Sequence, residues 1–236
     1  MSVPDKSVVS AKKSENGSAS VWLIFLLIVI LAMVTGGYLV TQSSSSPSAD
    51  KDSVQEQLVE QGAFAFPKPI TVSNVDFLNE EGETVNKDSF LGKWSLLFFG
   101  YTFCPDICPT TLAIMQQMWT QLTPELQAQT QIVFVSVDIE RDTPEQMKTY
   151  MDYFNPKFTA LTGNAESLNS LAGQLNAVYA KVERLNAAGE VDPALGYLMD
   201  HSANISILDP NGNYYGFIKP PFSPKKMLKI VTTISS

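Results

Sequence analysis

The chain has 236 residues, of which 44% are hydrophobic and 17% charged, with 16 basic and 24 acidic side chains. Enough apolar residues are present to build a core, which excludes a wholly disordered chain. The net charge of −8 disfavours a protein that binds a nucleic-acid backbone, because such binding needs a basic surface. Two cysteines and one histidine exclude a multi-disulfide scaffold and a site built on several imidazoles.

An uncharged apolar run covers residues 21–40. At about 1.5 Å per residue it could span a hydrocarbon layer of about 30 Å, which favours a retained membrane anchor. A cleaved signal peptide, whose apolar region usually has about 7–15 residues, is the less favoured alternative. Lysines precede the run and acidic residues dominate after it, which predicts a cytoplasmic tail over residues 1–20. We therefore expect a single-pass protein of a bacterial inner membrane, with its C-terminal domain in the periplasm.

The rest of the chain indicates a linker and one folded domain. Residues 41–62 are polar and rich in serine, which predicts a flexible linker. Over residues 63–236 strand and helix signals alternate, which predicts an extracytoplasmic α/β domain. Apolar runs predict strands over 94–100, 132–137 and 158–161.

Local signals place further elements in the second half of the domain. Pro144 and Pro224 each follow a residue that can cap a helix, so we expect helices to begin there. The Asn211-Gly212 pair predicts a hairpin that joins strands over 204–208 and 214–218. The segment 182–196 contains glycine, asparagine and proline, and we expect it to be a loop shortly before His201.

The two cysteines follow the strand predicted over 94–100. Cys104 and Cys108 lie in the string CPDICP, at the junction of a strand and a helix where open α/β sheets place their chemistry. Pro109 favours a helix start that makes Cys108 the helix cap. We expect a lowered pKa at Cys108, because backbone amides at a helix start stabilise a thiolate.

The spacing of the cysteines leaves three interpretations open. They could be buried small side chains, a redox pair that forms a disulfide, or metal ligands. β-Carbons four residues apart on a helix are about 5–6 Å apart, whereas a disulfide needs about 3.5–4.5 Å, so a metal fits more easily. Two thiolates with His201 would make a soft set of ligands for Cu(I), and with one more weak ligand for Cu(II). By its position alone, His201 is either a surface residue or a ligand that faces the cysteines.

Three strings in the chain carry a resemblance to a known family. LLFFGYTFCPDICPTTL, VSVDIERDTPE and DHSANISILDPNG, in this order, resemble the Sco/SenC family of copper-binding proteins, over roughly residues 65–234. The resemblance implies a thioredoxin-like fold, with a mixed central sheet flanked by helices, behind an N-terminal transmembrane helix. It also implies that Cys104, Cys108 and His201 bind copper, as Cu(I), Cu(II) or both.

The resemblance further implies a role in the assembly of cytochrome c oxidase, with its copper-bearing subunit as partner. A periplasmic copper donor or thiol reductant is a further expected partner. Asp138 matches a family carboxylate near the site, so we expect it to tune the site from beside the ligands. Its alternative interpretation is a turn residue at a strand end, which is what we expect of Glu140 and Asp142.

These inferences lead to two main hypotheses for the function. The first is a copper metallochaperone that holds the metal at the three ligands, and the second is a thiol–disulfide oxidoreductase that reduces the cysteines of the copper-accepting subunit. The first hypothesis, which we favour, requires no enzymatic activity, whereas the second is an enzymatic one. A peroxidase of thioredoxin fold and a sensor of copper or redox state are weaker alternatives.

Overall fold

The computed structural model describes residues 18–42 and 47–236. The chain divides into two units, residues 1–51 and residues 52–236. The helix α1 (Ser18–Gln42) covers the predicted anchor. Among the residues that the structure describes, no helix is both long and apolar enough to cross a membrane. The transmembrane anchor at 21–40 and the cytoplasmic tail, which lies largely outside the described residues, stay predictions.

A second helix occupies most of the segment expected to be a flexible linker. The helix α2 (Pro47–Glu60) covers most of the predicted linker over residues 41–62. Residues 43–46 of that linker lie outside the part of the chain that the structure describes. Leu58 of this helix is buried in the core of the second unit, and Val54, one turn earlier, packs against that core. The prediction of a flexible linker is therefore wrong for the helical part. Its serine-rich composition masked two apolar residues at helical spacing.

The second unit is built around two sheets. Their ten strands are β1 (Ala63–Ile70), β2 (Phe77–Asn79), β3 (Thr84–Val85), β4 (Trp94–Gly100), β5 (Thr130–Ser136), β6 (Thr159–Thr162), β7 (Tyr179–Glu183), β8 (Tyr197–His201), β9 (Ile205–Leu208) and β10 (Tyr214–Ile218). Eight of them form one sheet in the order β1-β10-β9-β4-β5-β6-β2-β3, and β7 pairs with β8 in a separate sheet. β4, β5 and β6 run parallel, whereas β9 is antiparallel to β4. The α/β prediction is confirmed, with a mixed central sheet.

Five helices complete the second unit. They are α3 (Ile107–Trp119), α4 (Pro124–Gln129), α5 (Pro144–Phe154), α6 (Ala165–Gln174) and α7 (Pro224–Ile234), with short 3-10 turns at Lys87–Phe90 and Pro193–Leu195. α5 and α7 begin at the predicted prolines. Their caps are as expected, because the side chains of Thr143 and Ser223 accept hydrogen bonds from backbone N–H groups of the first turn.

The strand predictions are confirmed where the strands are buried. β4 has the predicted bounds, β5 and β6 differ from theirs by one or two residues, and β9 and β10 form the predicted hairpin. The loop expected over 182–196 begins too early, since β7 runs to Glu183, but its predicted end is right, because β8 begins at Tyr197. Most side chains of β7 are exposed, so this strand lacks the apolar pattern that marks buried strands.

Candidate metal centre

The cysteines lie at the carboxyl end of β4, which is central in the large sheet. Cys104 lies in the loop after this strand, and Cys108 lies in the first turn of α3. The prediction that Cys108 caps the helix is wrong, because α3 begins at Ile107 and its cap residue is Asp106. Pro109 is compatible with this start, since no backbone N–H in the first turn of a helix has an intrahelical partner.

Gly100, the last residue of β4, lets Cys108 approach the sheet closely. A β-carbon at this position would lie 2.9 Å from the Sγ atom of Cys108 and 2.6 Å from the ring of Phe134. The Cys108 side chain is completely buried, with 0% exposed, whereas Cys104 is partly exposed, and neither cysteine forms a disulfide. The glycine therefore provides the space that the inner cysteine occupies.

The hairpin of β7 and β8 brings His201 to the cysteines. His201 is the last residue of β8, and its Nε2 atom lies 3.4 Å from the Sγ atom of Cys108. Its Nδ1 atom lies 3.1 Å from the backbone oxygen of Ser202. Because a carbonyl oxygen only accepts, Nδ1 is the donor in this contact, and Nε2 is the ring nitrogen that faces the cysteines. The rings of Phe98 and Tyr101 pack edge to face against the imidazole, with distances of 5.9 and 6.0 Å between ring centroids.

The donor atoms of Cys104, Cys108 and His201 all lie within 4.8 Å of one another. Protein sulfur and nitrogen ligands bind metal ions at about 2.0–2.3 Å, so small side-chain movements would bring all three onto one ion. Two sulfurs and one imidazole nitrogen form a soft donor set, which suits copper better than hard cations. No carboxylate joins this cluster among the described residues. The structure thus brings together the three residues predicted as ligands.

The two cysteines differ in protonation. A hydrogen bond from the Cys108 thiol, with further contacts to His201 and to backbone groups, lowers the pKa of Cys104 to about 3. The same hydrogen bond and burial raise the pKa of Cys108. Of the two cysteines, Cys104 therefore loses its proton more readily than Cys108. The predicted lowering of the pKa at Cys108 is wrong, because its burial and its hydrogen bond outweigh the helix start.

Asp142 is a residue of the site that the sequence reasoning missed. Only 1% of it is exposed. Its carboxylate accepts hydrogen bonds from the backbone N–H and the hydroxyl of Thr102, at 3.0 and 2.7 Å, and from the hydroxyl of Ser136 at 2.6 Å. Asp142 thus ties the end of β5 to the cysteine loop. Because Asp142 directly precedes a helix cap, the sequence indicated an ordinary turn residue. Its burial depends on the tertiary structure, and this burial raises the pKa of its carboxyl group.

Asp138 lies near the site without joining the donor cluster. It is 2% exposed, and its carboxylate accepts hydrogen bonds from the Tyr197 hydroxyl at 2.8 Å and from the Nε group of Arg141. Its contact with the ligands is therefore indirect, through Tyr197 on the strand that ends in His201. Neither Tyr197 nor Arg141 was singled out from the sequence. Glu140 is largely exposed, in agreement with its interpretation as a turn residue.

The fold and the cluster together define a thioredoxin-like domain with a candidate soft-metal centre. The SCO1/SenC family matches residues 67–236, and the chain belongs to this family. It is similar to a protein of Stutzerimonas stutzeri named as copper-binding, with 31% identity over 189 residues that cover 80% of this chain and 87% of the relative.

Two further relatives support this assignment. A SCO2-like protein of Rickettsia conorii is 34% identical over 156 residues, which cover 66% of this chain and 73% of the relative. Among solved structures, Arabidopsis thaliana ScoI with copper bound is 29% identical, with a TM-score of 0.60, and covers 70% of this chain and 98% of that chain. The thioredoxin-like fold implied by the sequence resemblance is therefore confirmed for the second unit.

Proposed function

We propose that this protein is a copper metallochaperone that binds one copper ion through Cys104, Cys108 and His201. The observation that carries the proposal is the distance of at most 4.8 Å between their donor atoms. Relatives support copper as the metal, since one is named as copper-binding and another was solved with copper bound. Copper is the cargo that the protein carries. The two cysteine sulfurs are soft donors suited to Cu(I), and the imidazole of His201 adds a donor suited to Cu(II).

The protein delivers this copper to the copper-bearing subunit of cytochrome c oxidase. BsSco, a structural relative, is described as a member of the Sco family of cytochrome c oxidase assembly proteins. Cys104 and His201 are partly exposed and Cys108 is buried. Transfer by ligand exchange therefore begins at Cys104 or His201, and Cys108 is the last ligand to leave. A periplasmic copper donor or thiol reductant prepares the site for loading.

The apolar run over residues 21–40 anchors the protein in a bacterial inner membrane, with residues 63–236 in the periplasm. The support for this part of the proposal is the length of the uncharged run and the excess of lysine before it. Carbonate extraction of membranes from cells that express the full chain tests it. An anchored protein stays in the pellet, and a protein released into the supernatant would contradict the anchor.

Copper binding by the full chain tests the metal site. We expect one copper per chain in the wild type, with a thiolate-to-Cu(II) charge-transfer band. His201→Ala removes one donor and should lose this band and weaken Cu(II) binding. Met199→Leu is the matched control, because this sulfur-containing side chain lies buried on the same strand, two residues before His201. A His201→Ala variant that binds Cu(II) like the wild type would overturn the proposed ligand set.

A thiol–disulfide oxidoreductase is a second candidate, favoured by the thiolate at Cys104 beside the thiol of Cys108. Cys104 would attack a disulfide of the partner, form a mixed disulfide and release one partner thiolate. Cys108 would then attack Cys104, lose its proton and release the second partner thiolate. The partner would be reduced and the Cys104–Cys108 pair oxidised. A Cys108→Ser variant should trap the mixed disulfide, and mass spectrometry that finds none would exclude this activity.

A further inference from the structure

Arg141 lies where the cysteine loop meets the hairpin that carries His201. Its Cζ atom lies 3.7 Å from the centroid of the Tyr197 ring and 4.9 Å from that of the Phe103 ring. Tyr197 begins β8, which ends at His201, and Phe103 directly precedes Cys104. One guanidinium group therefore contacts both parts of the chain that supply the accessible ligands.

Asp138 fixes this guanidinium in place. Its buried carboxylate accepts the Nε–H of Arg141 on one oxygen and the hydroxyl of Tyr197, at 2.8 Å, on the other. Arg141 also donates from Nη1 to the backbone oxygen of Tyr197 at 3.3 Å. Hydrogen bonds between charged groups in a poorly solvated place are strong, so these contacts hold the Tyr197 end of β8 firmly.

A second cation supports the same tyrosine. The Nζ atom of Lys181 lies 4.0 Å from the centroid of the Tyr197 ring and donates to Glu140 at 2.9 Å. A cation above an aromatic face is attracted by the ring, so Lys181 adds to the contacts that hold Tyr197. We call Arg141, Asp138 and Tyr197 together the arginine clamp. Lys181 and Glu140 lie at its exposed outer side.

The clamp matters because β7 and β8 form a sheet of their own. A two-stranded hairpin is marginally stable in isolation, so the position of His201 depends on contacts outside the ladder. Cys108 is held differently, by complete burial under β4. Loss of the clamp would therefore loosen His201 while every donor atom remains in the chain.

We infer that Arg141 is a positioning residue that holds His201 against the cysteines and thereby supports Cu(II) binding more than Cu(I) binding. This inference rests on the proposed function. Two thiolates suffice for Cu(I), whereas Cu(II) depends on the nitrogen donor, so the two oxidation states respond differently when the imidazole is free to move.

Arg141→Lys in the full chain tests this, because lysine keeps the charge but loses the planar group that stacks and donates on two sides. The matched control is Arg184→Lys, the other arginine of the chain, which is exposed and donates to the backbone oxygen of Leu195 at 3.3 Å. Cu(II) affinity should fall about 10–100-fold in Arg141→Lys, as for other residues that orient a ligand. Cu(I) affinity should fall much less, and Arg184→Lys should match the wild type in both.

Tyr197→Leu provides a second, independent variant, since it removes the ring and the hydroxyl of the clamp. We expect the same selective loss of Cu(II), and a double variant with Arg141→Lys that loses less than the product of the two single effects. Unchanged Cu(II) affinity in either single variant, or an equal loss for both oxidation states, would overturn the inference. A wild type that binds no copper would instead overturn the proposed function itself.

Discussion

The Nε2 atom of His201 lies 3.4 Å from the Sγ atom of Cys108, although the two residues are 93 positions apart in the chain. The donor atoms of these two residues and of Cys104 all lie within 4.8 Å of one another. Cys108 is the buried member of this cluster, held in place by the core, whereas Cys104 and His201 are partly exposed. The geometry of the site consequently depends on the packing around Cys108 and on the loop and hairpin that bring its neighbours to it.

Gly100→Ala should damage the site directly. The added methyl group would lie 2.9 Å from the Sγ atom of Cys108 and 2.6 Å from the ring of Phe134. Overpacking of this kind costs about 1–3 kcal/mol of unfolding free energy. Thermal unfolding and a copper titration should show a lower Tm and weaker copper binding.

Gly173→Ala is the control for that change. Gly173 lies in α6, and a β-carbon there would have no neighbour within 4 Å. Alanine favours a helix over glycine by up to about 1 kcal/mol, so this variant should be as stable as the wild type or more so, with normal copper binding. Equal behaviour of the two variants would contradict the close packing at Gly100.

Alkylation should identify Cys104 as the thiolate. With a pKa of about 3, Cys104 remains deprotonated as the pH falls from alkaline to mildly acidic values. Its rate of reaction with iodoacetamide should then change little between about pH 8 and pH 5, whereas the rate for an ordinary thiol falls about tenfold per pH unit below its pKa. Mass spectrometry should find the label on Cys104, because Cys108 is buried.

Two substitutions of Cys108 test the cause of the lowered pKa. The hydrogen bond from Cys108 is the largest contribution to it. Cys108→Ala removes this donor, so the pKa of Cys104 should rise and alkylation should slow at acidic pH. In Cys108→Ser a hydroxyl can still donate, and the variant should remain closer to the wild type. Identical pH profiles for Cys108→Ala and the wild type would refute this explanation.

Asp142→Ala should loosen the cysteine loop. The substitution leaves the hydroxyl of Ser136 and the N–H and hydroxyl of Thr102 without their acceptor. Unsatisfied buried groups cost about 1–3 kcal/mol, so we expect a lower Tm together with weaker copper binding. Asp152→Ala is the control, since this exposed carboxylate lies 3.8 Å from the Nζ atom of Lys148, and such surface pairs contribute at most about 1 kcal/mol.

Leu58→Ala tests whether α2 belongs to the folded domain. Leu58 is buried in the core, so its truncation should lower the unfolding free energy by about 2–5 kcal/mol. Its neighbour Val59 is exposed on the same helix, and Val59→Ala should have little effect. If thermal unfolding of the full chain gave the same Tm for both variants, residues 47–60 would behave as the flexible linker first expected.

Much of the fold was predictable because its signals are local. Buried strands such as β4 consist of continuous apolar runs, and the helices α5 and α7 begin at prolines behind capping residues. Glu183 and its neighbours in β7 were missed, since an exposed strand has no such pattern. Leu58 was missed for a related reason, because a single apolar residue in a polar segment does not by itself indicate a helix.

By itself, the sequence determined the α/β class, the family resemblance and the placement of two cysteines after a central strand, because these depend on residues close together in the chain. Only the tertiary structure decided which cysteine holds the thiolate, how His201 reaches it, and that Asp142 and Arg141 belong to the site. These properties depend on burial and on contacts between distant segments. A local sequence pattern does not indicate whether a carboxylate is buried or which hairpin an arginine contacts.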